Sequence, residues 1–104
     1  MSYEGLMRLA REHPRSRGII DVNWLKVVRA CYEEAREVQS RGYESFPGTR
    51  VRHRCGWFPG LRLLQKYGIL TPVGEPTRGG SRRYWAMPDI DGVARALREL
   101  RYLE

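Results

Sequence analysis

The stretch Leu61-Arg62-Leu63-Leu64-Gln65-Lys66-Tyr67-Gly68-Ile69-Leu70 carries a helical pattern that stops at a glycine. Phe58, Leu61, Leu64 and Tyr67 recur on one face, with Leu63 beside them, while Arg62, Gln65 and Lys66 point the other way. Pro59 is tolerated in a first turn and Gly68 is a good C-terminal cap, so the spacing predicts a helix over 58–67. Directly after it, Ile69-Leu70-Thr71-Pro72-Val73 and Arg82-Arg83-Tyr84-Trp85-Ala86-Met87 read as the arms of a β-hairpin. The loop between them, Gly74 to Ser81, is rich in turn residues. Pro72 cannot donate to a ladder on both sides and confines its arm to an edge. In the second arm Tyr84 and Trp85 must face opposite ways, which leaves one of them less buried.

Working outward, Asp89 follows Pro88 and caps a closing helix over 89–103, with Ile90, Val93, Leu97 and Leu100 as a narrow apolar seam. Upstream, residues 22–41 read as the longest helix. Val22, Leu25, Val28, Tyr32, Ala35 and Val38 form its stripe, widened by Trp24, Val27 and Cys31, as expected of a central helix packed on two sides. Asp21 is its expected N-cap and Gly42 its end. Residues 2–13 read as a short helix capped by Ser2 and stopped by Pro14. Ser45-Phe46-Pro47-Gly48 reads as a turn. Thr49 to Cys55, where Val51 and His53 alternate with Arg50, Arg52 and Arg54, fits a short strand, a basic loop or one helical turn.

Charge is unevenly distributed along the chain. The 104 residues carry a net charge of +7, and all of it lies in residues 47–88. That segment holds eight basic side chains (Arg50, Arg52, Arg54, Arg62, Lys66, Arg78, Arg82 and Arg83) and Glu75 as its single acid. The flanking segments are close to neutral. A concentrated excess of this kind is the electrostatic footprint of a polyanion partner. Of the 19 basic residues, all but Lys26 and Lys66 are arginine, whose planar fork suits phosphate and guanine edges. A coding bias or a hot habitat accounts for the wider arginine usage equally well, so the clustering carries more weight.

The order helix, helix, basic helix, Gly-Ile-Leu, two-armed wing is similar to the winged helix-turn-helix family of transcription regulators. The residues that carry the resemblance are Leu61 to Leu70 and then Pro72-Val73-Gly74-Glu75 to Arg82-Arg83-Tyr84-Trp85. It covers residues 57–104 well and 22–42 loosely. It implies an α+β, mostly helical fold: a winged helix-turn-helix with three to four helices and a two-stranded β-hairpin wing. The whole of 1–104 is then one domain, with an N-terminal helix and connector over 1–21, helices plus wing over 22–87, and a C-terminal helix over 88–104. The family's turn needs only ~3–4 residues between its helices, whereas residues 42–57 separate the clear helices here. Either a short helix lies within 43–56 or the turn is elaborated.

The resemblance implies non-catalytic binding of double-stranded DNA by a transcriptional regulator or chromatin-associated factor. Helix 58–67 would be the recognition helix, with Arg62, Gln65 and Lys66 in the major groove, where arginine matches guanine and glutamine matches adenine. Arg78, Arg82 and Arg83 would lie on the wing, and Arg50, Arg52 and Arg54 would grip the backbone. Amides around Gly79-Gly80-Ser81 would add phosphate contacts. The alternatives are an RNA-binding, ribosome-associated module or a winged-helix adaptor whose basic face meets an acidic protein. A homodimer through the C-terminal helix is the alternative to a core role for its seam.

Other chemistry finds little support. His53-x-Cys55 invites a metal reading, but only His13, Cys31, His53 and Cys55 are available, scattered over three segments, so no metal and no cofactor is expected. Asp89-x-Asp91 is explained by helix capping. Two histidines leave little choice for a nucleophilic triad, and an enzyme is not expected. Two cysteines exclude a disulfide-rich secreted scaffold. No apolar run approaches the ~18 residues of a membrane span, and no membrane partner is expected. Glu4 places a negative charge where a signal peptide would be positive, so a cytoplasmic location is expected, nucleoid-associated in a prokaryote.

Overall fold

The computed structural model describes residues 2–13, 22–56, 60–74 and 84–103. Among them the chain is α+β and mostly helical, with five helices and a small three-stranded antiparallel sheet. The elements are α1 (Ser2–Glu12), α2 (Trp24–Ser40), β1 (Phe46–Pro47), α3 (Gly48–Cys55), α4 (Arg62–Lys66), β2 (Thr71–Val73), β3 (Tyr84–Ala86) and α5 (Ile90–Glu99).

α2 is the central helix, as its wide stripe predicts. Trp24, Val27, Val28, Ala30, Cys31, Tyr32 and Ala35 are all buried on it. Its cap is Asn23, two residues beyond the expected Asp21, and the Asn23 side chain accepts from the Lys26 amide at 3.2 Å. Asn23 also donates to the Tyr102 hydroxyl at 3.2 Å, which ties the start of α2 to the chain beyond α5. α2 ends at Gly42, whose φ of 87° allows the following amide, that of Tyr43, to reach back to the Val38 carbonyl at 2.8 Å.

The undecided segment after α2 contains both a strand and a helix. Phe46-Pro47, expected as a turn, forms β1 against the outer side of β3, in the register Phe46↔Trp85 and Pro47↔Tyr84. Phe46 is fully buried there. Residues 48–55 are helical: Val51 is the one buried residue of α3, and the basic residues cover the rest of it. Alternation in the sequence is thus a by-product of a short helix with a single apolar anchor.

α4 is shorter than its periodicity suggests. Gly60 has φ 140°, which is not helical, and Leu61 takes the cap position, so the apolar spacing continues upstream of the helix itself. Leu61 and Leu64 face the core as expected. Gly68, at φ 75°, ends the element, and the Ile69 amide returns to the Leu64 carbonyl at 2.9 Å. Ile69 and Leu70 then plunge into the core and lead into β2.

The sheet order is β1-β3-β2, and β2 with Pro72 is an edge strand as its proline requires. Trp85 is buried and Tyr84 is exposed, which is the expected alternation. Residues 75–83, between β2 and β3, lie outside the described residues. α5 is capped by Asp89, which accepts from the Gly92 amide at 3.1 Å. Its seam is core: Val93 and Leu97 are fully buried, with Ile90 and Leu100 half-buried against them. α1 packs on α5 and on the end of α4. Gly5 meets the Tyr67 carbonyl so closely that a Cβ would collide with it. The Ser2 hydroxyl, expected as a cap, instead donates to the Gly68 carbonyl at 2.8 Å.

Candidate nucleic-acid interface

The basic residues divide into three groups. The first is on α3 and turns inward toward α2. Arg50 and Arg54, one turn apart, converge on Glu34, whose side chain is only 3 % exposed. Arg54 Nε donates to Glu34 Oε2 at 2.6 Å and Arg50 Nε to Oε1 at 3.1 Å, so each carboxylate oxygen has its own guanidinium. Arg54 also donates to Glu37 and lies 3.8 Å from Glu33. Burial pushes the Glu34 carboxyl pKa up, but the hydrogen bonds from Arg54 and Arg50 outweigh it and hold the pKa below the ordinary value. Correspondingly, the hydrogen bond to Glu34 raises the Arg54 pKa. These two arginines, expected to grip a nucleic-acid backbone, have a partner inside the fold and pin α3 to α2.

Glu34 is the residue that reasoning from sequence missed. Its signal is present: Val27, Cys31, Glu34 and Val38 continue one apolar line at 4-3-4 spacing, and an acid on such a line needs a cation. The pair Arg50 and Arg54, at i and i+4 on a helix with otherwise little to bury, supplies two.

The second group faces outward. Arg62, Gln65 and Lys66 are exposed on α4, at i, i+3 and i+4, hence on one face. Neither Arg62 nor Lys66 makes an ion pair among the described residues, in contrast to Arg50 and Arg54. Leu61 and Leu64 behind them anchor the helix, so the face is held by core contacts rather than by its own polar groups. Arg62 also borders a cleft of about 480 Å³ walled by Trp24, Leu61, Leu63 and Trp85. Arg52 and His53 are also exposed on α3, and His53 borders the cleft that Glu34, Arg50 and Arg54 line.

The third group, Arg78, Arg82 and Arg83, lies outside the described residues with Gly79, Gly80 and Ser81. What is described on either side of this segment is the paired strands β2 and β3. There Val73 and Tyr84 are cross-strand partners and both 42 % exposed, an apolar pair at the base of the hairpin.

Among the described residues no three His, Cys, Asp or Glu side chains come together as a metal site. Cys31 and Cys55 are free thiols. Burial pushes the Cys31 thiol pKa well up, away from thiolate chemistry, and Cys55 donates to the Val51 carbonyl at 3.2 Å. Among the described residues no helix is long and apolar enough to cross a membrane. Comparison with protein-family models, curated proteins and solved structures finds no match.

Proposed function

We propose that this chain is a winged-helix domain that binds double-stranded DNA without catalysis, as a transcriptional regulator or chromatin-associated factor does. The observation that carries this reading is the outer face of α4, where Arg62, Gln65 and Lys66 stand exposed with no acid paired to them among the described residues, on a helix anchored from behind by Leu61 and Leu64. The order of elements supports it. α3 occupies the stretch between the long helix and the basic helix, and only residues 56–61 separate α3 from α4. Gly68-Ile69-Leu70 then feeds the antiparallel arms β2 and β3.

On this reading α4 enters the major groove. Arg62 matches the guanine acceptors, Gln65 matches adenine, and Lys66 adds a point charge at a phosphate or a guanine. Arg52 and the wing arginines Arg78, Arg82 and Arg83 contact the backbone, and release of counterions supplies most of the affinity. Arg50 and Arg54 contribute indirectly, by fixing α3 on α2 and so setting the angle at which α4 is presented.

Fluorescence anisotropy with labelled duplex DNA, duplex RNA and single-stranded DNA, titrated over a range of salt, tests the reading. Tightest binding to duplex DNA with a steep salt dependence is expected. Preference for RNA would replace it with an RNA-binding module. No binding to any of the three at low salt would overturn the nucleic-acid reading in favour of an acidic protein partner.

A further inference from the structure

α1 presents a line of residues that the described fold covers only in part. Glu4, Met7 and Arg11 follow one another at 3-4 spacing, so they share one face of the helix. Together with Tyr3, Ala10 and Leu100 they line a groove of about 620 Å³ along α1 and the end of α5. Its floor is apolar: Tyr3, Met7, Ala10 and Leu100 are half-buried, and none is closed over.

The charges around this groove are of two kinds. Arg8 is committed to its flank, where it pairs with Glu12 at 3.4 Å and lies over the Tyr67 ring. Tyr3 is held as well, by donating to Glu99 and by the Arg95 guanidinium 4.5 Å from its ring centroid. Glu4 and Arg11, by contrast, make no ion pair among the described residues. They sit at opposite ends of the apolar line, seven residues and about 10 Å apart along the axis.

An opposite charge at each end of one apolar ridge is self-complementary. Two such helices laid antiparallel about a two-fold axis near Met7 place Glu4 of each copy against Arg11 of the other, with the two Met7 side chains between. Apolar contact at the centre and charge pairs at the rim is the ordinary anatomy of a protein interface. A parallel arrangement would oppose like charges. The closing-helix seam cannot serve this purpose, because Val93 and Leu97 are fully buried in the protomer's own core.

We propose that α1 and the end of α5 form the docking face for a second copy of this chain, in an antiparallel α1–α1 dimer closed by two Glu4–Arg11 pairs. The proposal does not depend on DNA binding and is tested without nucleic acid. Sedimentation equilibrium of the full chain, from micromolar to submillimolar concentration, should show a reversible monomer–dimer equilibrium. Glu4→Arg and Arg11→Glu each oppose like charges twice and should raise the dimer dissociation constant by about tenfold or more. The double variant Glu4→Arg/Arg11→Glu re-forms both pairs and should recover the dimer. Each reversal also opposes the α1 dipole, but a helix weakened that way would be weakened further by the second change, not rescued. Met7→Glu, which charges the centre of the ridge, should give a monomer with an unchanged circular dichroism spectrum. A wild-type chain that is monomeric throughout, a dimer indifferent to the single reversals and to Met7→Glu, or a double variant that stays monomeric would each overturn the proposal.

Discussion

Arg54 Nε lies 2.6 Å from Oε2 of Glu34, joining an exposed helix to a buried carboxylate on its neighbour. With Arg50 on the other oxygen, this is the polar fastening between α3 and α2, next to the single apolar anchor Val51. Glu34→Gln keeps the shape and removes the charge. It should destabilise the fold by about 1–3 kcal/mol, the cost of a charge-assisted hydrogen-bond pair lost from a partly shielded site. Urea unfolding should show a lower midpoint at unchanged slope. The same variant releases Arg50 and Arg54, so on the proposed function its affinity for duplex DNA of random sequence should rise even as its stability falls.

The fastening is pH-dependent with a defined sign. The Glu34 carboxyl has a folded pKa below the ordinary value of 4.5, because Arg54 and Arg50 stabilise its charged form. Such a group contributes stability that is fully present above its unfolded pKa and is lost as the pH falls through the lower folded pKa. The stability difference between wild type and Glu34→Gln should therefore be constant at neutral pH and shrink in the acid range. Urea melts of both proteins at a series of pH values measure it. A difference that grows on acidification would contradict the geometry.

Gly5→Ala separates helix propensity from packing. Alanine is the better helix former by about 1 kcal/mol, so an isolated α1 would gain from the change. In the folded chain a Cβ at residue 5 runs into the Tyr67 carbonyl, which is backbone and cannot turn aside. Net destabilisation of about 1–3 kcal/mol is expected from the forced separation of α1 and the end of α4. Thermal unfolding gives the answer by its direction alone.

On the proposed function, Arg62 and Arg82 should differ in what they do to DNA binding. Arg62→Ala on the outer face of α4 should relax sequence preference at one position, at a cost of about 1–3 kcal/mol for the preferred site. Arg82→Ala should weaken binding evenly across sequences and reduce the salt slope by about one. Equal effects of both on every sequence would argue against a reading helix.

Elements that answer to local rules were legible in the chain. The wide stripe on α2, the glycine stops at Gly42 and Gly68, the Asp89 cap and the edge position of the Pro72 strand each follow from one residue type meeting one backbone requirement. So does the outward face of α4, since Arg62, Gln65 and Lys66 oppose Leu61 and Leu64 whatever surrounds them. Reading failed where a distant partner decides. β1 is two residues long, too short for any periodicity, and exists because β3 has a free edge beside it. α3 has a single buried residue, too few to distinguish a period of two from one of 3.6. Periodicity starts α4 too early because the apolar spacing runs on through Gly60, whose backbone leaves the helical region.

The same division holds for the candidate site. Composition and spacing by themselves determined that the positive charge is concentrated in residues 47–88 and that the α4 arginine, glutamine and lysine share a face, because both are properties of order along the chain. Only the tertiary structure decided which of those cations are bound within the fold. Glu34 lies 16 residues from Arg50 and 20 from Arg54. Nothing local brings them together, and the pairing arises when Val51 and Phe46 enter the core and α3 is laid against α2. A buried carboxylate must then take the nearest guanidiniums, since leaving its charge without a partner away from water costs more than the fold could sustain.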